Sequence, residues 1–202
     1  MAIFTETKAK ELLSKVNALS KADEIESNLD GYDDGNIRYA RNTVSTAGEV
    51  SDVTLAVQSS YGKRTGTATI NEFDDASLEK VVRRSEELAK LAPENPEFMP
   101  NLGPADYSIV KAWYDSTAST IPEQRAAAAE ASIVPSRKNK LIASGYLNDA
   151  ASFTAIMNKA GMFAYHTSTD VNFTATIRTE DGTGSGWVSR DFNDASKMDT
   201  KE

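Results

Sequence analysis

The side chains best equipped for chemistry lie close together late in the chain. His166, Ser168 and Asp170 alternate along one stretch, and Asn172 and Arg178 follow on the same parity. The residue types are those of a nucleophilic triad, but the spacing is wrong for one. Residues four apart on an extended strand are separated by ~13 Å, so His166 and Asp170 cannot share a hydrogen bond. The alternation instead makes a polar row. His166, Asp170, Asn172 and Arg178 on one strand face suit contacts along a groove that accepts a peptide. Other motifs are undone by their context. Ser60-Tyr61-Gly62-Lys63 has the letters of S-x-x-K, yet that pairing needs a helical turn and this segment reads as a hairpin. Gly182-Thr183-Gly184-Ser185-Gly186 runs into Trp187-Val188-Ser189-Arg190, a strand, where a phosphate cradle needs a helix N-terminus. Asp30, Asp33 and Asp34 miss the alternate positions of a calcium loop and read, with Gly31 and Gly35, as a turn.

The 202 residues include no Cys and a single His, His166. Cys/His zinc clusters, the two-histidine protease helix and thiol chemistry are therefore excluded. Lys and Arg number 22 against 30 acidic residues, for a net charge of -8. That balance opposes duplex DNA, which is held by neutralising phosphates. The longest basic cluster, Arg137-Lys138-Asn139-Lys140, reads as a solvated helix end. No apolar run approaches the ~20 residues of a membrane span. Met1-Ala2-Ile3-Phe4-Thr5-Glu6 lacks the basic start and apolar core of a secretory signal, and the cytoplasm is the expected compartment.

Positioning such a row requires long strands backed by helices. Residues 6–19 carry Ala9, Leu12, Leu13 and Val16 on one helical face. Short strands follow around Ile37–Tyr39 and Val53–Val57, then a hairpin at Tyr61–Arg64 and a strand over Thr65–Ile70. Asp74 opens a second helix with Leu78, Val81, Val82, Ser85, Leu88, Ala89 and Leu91 on its buried stripe, and Pro93 stops it. Four prolines between Pro93 and Pro104 mark an extended connector. A third helix, from Ser119-Thr120-Ile121-Pro122-Glu123 to about Arg137, presents small alanines to a sheet, with Pro135 expected to kink or end it. Strands are predicted at Leu141–Leu147, Ser152–Asn158, Phe163–Arg178 and Ser185–Phe192, the last two joined by a turn at Asp181–Gly184. The fold class is α+β. Antiparallel or mixed sheets carry helices on one face, in two halves of about 1–92 and 105–192 joined by the connector 93–104.

Two segments resemble a known family. Ile37-Arg38-Tyr39-Ala40-Arg41-Asn42, the strands that follow it and the helix ending Leu88-Ala89-Lys90-Leu91-Ala92-Pro93 are similar to the opening of TldD/PmbA proteins. Tyr165-His166-Thr167-Ser168-Thr169-Asp170-Val171-Asn172-Phe173, then Arg178 through Trp187, resembles the Thr-rich strand and Asp-Gly-x-Gly-Ser-Gly-Trp turn of the same family. The likeness covers residues 5 to 192 and implies the N-terminal domain of a family named for modulating DNA gyrase and regarded as metalloproteases. It implies zinc held in a C-terminal domain, by a histidine helix and a Cys with no counterpart here, so no catalytic or metal residue carries over. It implies a peptide or unfolded-protein substrate, and a homo- or heterodimer that in some cases pairs a metal-bearing with a metal-less subunit. Asp194 to Glu202 reads as the capped start of a further helix, the expected boundary of that N-terminal domain. The alternative expectation is a non-enzymatic regulator or adaptor, or part of the metal-less subunit. Membrane and nucleic-acid partners are not expected.

Overall fold

A computed structural model of the chain describes residues 2–199. In order come α1 (Glu6–Leu19), β1 (Glu24–Ala40), β2 (Thr43–Tyr61), β3 (Arg64–Ile70), α2 (Asp75–Leu91), the short α3 (Asp115–Ala118) and α4 (Pro122–Lys138). Then follow β4 (Leu141–Asn158), β5 (Phe163–Thr179), β6 (Ser185–Phe192) and a 3-10 turn at Ala195–Lys197. The strands form one sheet in the order β3-β2-β1-β4-β5-β6, with every neighbouring pair antiparallel. The expected α+β class is thus realised as a single sheet. Its two halves are joined through β1 and β4 at the centre as well as through the connector.

Alternation decides which face is covered. Ile25, Leu29, Ile37 and Tyr39 of β1 share a parity and are all buried, as are Ala143, Leu147, Phe153 and Ala155 of β4. Against one end of this face α1 brings Ala9, Leu13 and Val16, and α2 brings Leu78, Val81 and Val82, closing over Leu55 and Val57 of β2. Against the other end α4 lays Ala128, Ala129 and Ile133 on Ile37, Tyr39 and Leu147. Asp74 caps α2 by accepting from the backbone N–H groups of Ala76 and Ser77. All the long helices lie on this one side.

Several local expectations are corrected. Residues 30–35 form no turn but the middle of β1. Their glycines are there for space. A Cβ at Gly31 would strike the Phe153 ring, and one at Gly35 would strike the Arg125 guanidinium. The break expected between Leu147 and Ser152 is absent, because Asn148, Asp149 and Ala150 pair continuously with β1 and β5. α4 runs three residues past Pro135 to Lys138. Leu91 is 83% exposed and leaves the stripe of α2. The irregular connector extends beyond Pro104 to Tyr114. It is tied down where the backbone N–H of Thr169 donates to the Ala112 carbonyl and that of Tyr114 donates to the Thr169 hydroxyl. Of the helix expected from Asp194, only the Ala195–Lys197 turn is seen, and residues 200–202 lie outside the described residues.

Candidate functional site

The sheet's second face carries no helix, and its side chains can be placed row by row from the strand register. His166 of β5 stands opposite Thr154 of β4, which stands opposite Asp30 of β1. One row on, Ser168, Ser152 and Tyr32 align, and the two serine hydroxyls bond at 2.9 Å. Asp170, Ala150 and Asp34 make the next row. Then come Asp191, Asn172, Asn148 and Asn36, followed by Ser189, Thr174, Tyr146 and Arg38. Trp187 lies opposite Thr176 on the edge strand, 70% exposed, and Arg178 lies opposite Ser185.

All four sequence-predicted residues therefore share this open face on β5. His166 and Arg178 are exposed; Asp170 and Asn172 are half-buried. They form no catalytic cluster. His166 and Asp170 are held ~13 Å apart by the strand itself. The Ser168 hydroxyl is engaged by Ser152. What β5 does bring together is Asp170 with Asp191, whose side chain also accepts from Asn172 Nδ2 at 3.3 Å. Burial first, and then the neighbouring Asp191 carboxylate, push the Asp170 carboxyl up. On the neighbouring strands Asn148 Nδ2 donates to both carboxylate oxygens of Asp34, each at 2.8 Å.

At the far end the small side chains Ala40, Ser144, Thr174 and Thr176 leave a hollow of about 270 Å³ flanked by Arg38 and Tyr146. Neither Arg38 nor Arg178 has an ion-pair partner among the described residues. Sequence reading assigns none of Asp34, Arg38, Tyr146, Asp191 and Trp187 to this face, and it places Asp34 in a turn. A signal existed in the parity of Tyr32, Asp34, Asn36 and Arg38, which matches that of β5, but the turn expected at 30–35 hid it.

A second polar constellation sits under the helices. Arg125 of α4 descends onto Gly35, between Asp149 on one neighbouring strand and Glu49 on the other. Its Nε and Nη2 donate to Asp149 at 2.6 and 2.9 Å, its Nη1 to Glu49 at 2.6 Å, and Nη2 also reaches the Thr120 carbonyl at 3.4 Å. Hydrogen bonding to Asp149 holds the guanidinium above its ordinary range despite burial. With its donors used internally, Arg125 fastens α4 to the sheet and is not available to a ligand. No group of three or more His, Asp or Glu side chains is placed to hold a metal ion among the described residues. No helix among them is long and apolar enough to cross a membrane.

Residues 32–89 match the family model described as PmbA/TldA metallopeptidase domain 1. The fold is similar to the crystal structure of TldE from Thermococcus kodakarensis, with a TM-score of 0.83 at 14% identity over 96% of this chain and 45% of that one. It is also similar to proteins named as modulators of DNA gyrase. For the one from Thermotoga maritima the TM-score is 0.82 at 13% identity, over 95% of this chain and 45% of that one. For the one from Bacteroides thetaiotaomicron it is 0.80 at 13% identity, over 98% and 48%. The chain spans a little under half the length of these structures. No curated protein matches it in sequence. The family model and the shared fold support the resemblance, read from the sequence, to the N-terminal domain of TldD/PmbA proteins.

Proposed function

We propose, from a fold and a family-model match of the TldD/PmbA N-terminal type, that this chain is the non-catalytic wall of a peptide-handling metallopeptidase. The observation that carries the reading is the uncovered face of the sheet: long strands, mostly polar, with His166, Asp170, Asn172 and Arg178 along one of them. Such a face offers contacts to an extended chain and no nucleophile. Peptide is taken up along it, and the edge strands β3 and β6 supply unpaired backbone groups for strand addition. Zinc and its ligands belong to a second domain outside this chain, and a dimer with a like or related subunit encloses the cavity. The compartment is the cytoplasm. A longer protein carrying both domains is expected to hydrolyse unfolded peptides, and the 202-residue chain alone to bind no stoichiometric zinc and cleave nothing. One tightly held zinc per chain, found by metal analysis of the purified 202 residues, would overturn the division of labour.

The absence of Cys and the single His also favour a second reading, a non-enzymatic regulator or the matching part of a metal-less subunit. The coding sequence after residue 202 separates the two. A histidine-glutamate metal helix there supports the peptidase. Its absence supports the regulator.

A further inference from the structure

The open face is not evenly charged. Asp34, Asp170 and Asp191 gather in two adjacent rows near its middle, while Arg38 and Arg178 lie toward the end beside the hairpin turns. Asp170 and Arg178 stand on the same strand eight residues apart, about 26 Å at ~3.3 Å per residue. Along β5 the rows between Asp170 and Arg178 hold small hydroxyl and amide side chains, with Tyr146 and Trp187 as flat apolar steps and Arg38 midway, one row on from Asp191. Arg38 and Arg178 are both exposed and neither has an ion-pair partner among the described residues, so both guanidiniums are open to an anionic group laid on this face. The 270 Å³ hollow at Arg38 and Tyr146 has room for a carboxylate and part of its side chain.

We infer that this face binds extended peptides of about eight residues whose charge is bipolar, the acidic end on Arg38 and Arg178 and the cationic end over Asp170 and Asp191. The length follows from the span between Asp170 and Arg178 at the two ends of the row on β5, with Arg38 beside the middle of the bound segment, and the polarity follows from charge complementarity. The aromatic steps contribute area that is indifferent to sequence, so the face ranks peptides by the order of their charges and tolerates varied residues between them. This inference rests on the reading of the face as a peptide-facing wall, but the two fail separately. Hydrolysis by a longer protein tests that reading, whereas charge preference in binding to this chain tests the present one.

The probe is an unlabelled octapeptide with two lysines at its N-terminal end, two glutamates at its C-terminal end and alternating Ser and Ala between. Its control is the isomer in which Lys and Glu alternate. Calorimetric titration of the 202-residue chain at low salt is expected to show the bipolar peptide binding about tenfold tighter, the sum of several exposed ion pairs. The difference should vanish at high salt. Arg38→Glu with Arg178→Glu should bring the bipolar peptide down to the affinity of its isomer. Adding Asp170→Lys and Asp191→Lys to that variant reverses both poles and should restore the preference, with the peptide lying in the opposite direction. Equal affinity for the two isomers overturns the inference. So does failure of the fully reversed variant to recover, provided its circular dichroism and melting match the parent.

Discussion

Tyr39 has the only buried side-chain polar atom without a hydrogen-bond partner among the described residues. Its ring packs in the α4 core and its hydroxyl sits over Gly145, the position where a Cβ would collide with it. Burial accordingly pushes the phenol pKa up. Ser132 opposes that push but makes no bond of good geometry with the hydroxyl, so Tyr39→Phe is expected to leave stability unchanged or raise it by about 1 kcal/mol in a denaturant titration. Arg125 is the opposite case. Taking it away strands the buried Asp149 carboxylate, which burial already pushes up and which Arg125 opposes by hydrogen bonding and charge. Arg125→Ala should therefore lose about 3–5 kcal/mol. Gly35→Ala should lose part of that amount without touching a charge, because its methyl group occupies the guanidinium's seat. If Gly35→Ala proves as stable as the parent, the guanidinium is not confined as described.

Elements are held at their ends by similar devices. The carboxylate of Glu86 on α2 accepts the backbone N–H of Lys21 at 2.6 Å and Arg83 Nη1 at 2.6 Å, while Arg83 Nη2 donates to the Leu19 carbonyl at the end of α1. Burial pushes Glu86 up, but the Lys21 and Arg83 hydrogen bonds outweigh it and hold the carboxyl below the ordinary range. A carboxyl held low in the folded state adds stability above its unfolded value and loses it as pH falls through its folded one. Glu86→Gln should thus be less stable by about 1.5–3 kcal/mol at neutral pH. It should also show a flatter decline below about pH 4.5, measured by urea titrations across that range. On β3, Gly66 lets the backbone of α2 approach so closely that a Cβ would lie 2.6 Å from the Leu88 carbonyl carbon. Backbone cannot swing aside as a side chain can, so Gly66→Ala is expected to cost about 1–3 kcal/mol by lifting α2 from the sheet. The helices were legible in advance because caps and apolar periodicity are local: Asp74, the Leu78–Val82 stripe and the alanines of α4 each announce themselves. The middle of β1 was not. Gly31 and Gly35 look like turn residues until Phe153 and Arg125, far along the chain, are seen to fill the space of their missing side chains. For the same reason the β5 row of the open face could be read from alternation, while its partners Asp34, Arg38 and Tyr146 needed the register.

At the scale of the molecule, the connector divides the sequence but not the fold. β1 from the first half pairs along nearly its whole length with β4 from the second, and Phe153 and Ala155 of β4 complete the core that α1 and α2 build. Neither half owns a closed core. Residues 1–92 alone would expose the edge of a 17-residue strand together with the apolar face that Phe153 covers. The connector itself carries Tyr107, Ile109 and Val110 exposed, in a stretch without regular structure, which is where proteolysis concentrates. Brief chymotrypsin treatment is therefore expected to cut near Tyr107. The two fragments should remain together on a sizing column, because the β1–β4 ladder and the shared core do not depend on chain continuity. Thermal unfolding of the nicked protein should stay a single transition, lowered and now dependent on concentration, since rejoining has become bimolecular. Residues 1–92 expressed alone should fail to give a cooperative melt, and should regain it on mixing with residues 105–202. A first half that folds by itself, or nicked halves that part under native conditions, would mean that the central strand pair is no more than an interface between two domains. The open face, which spans that pair, would then not act as one surface.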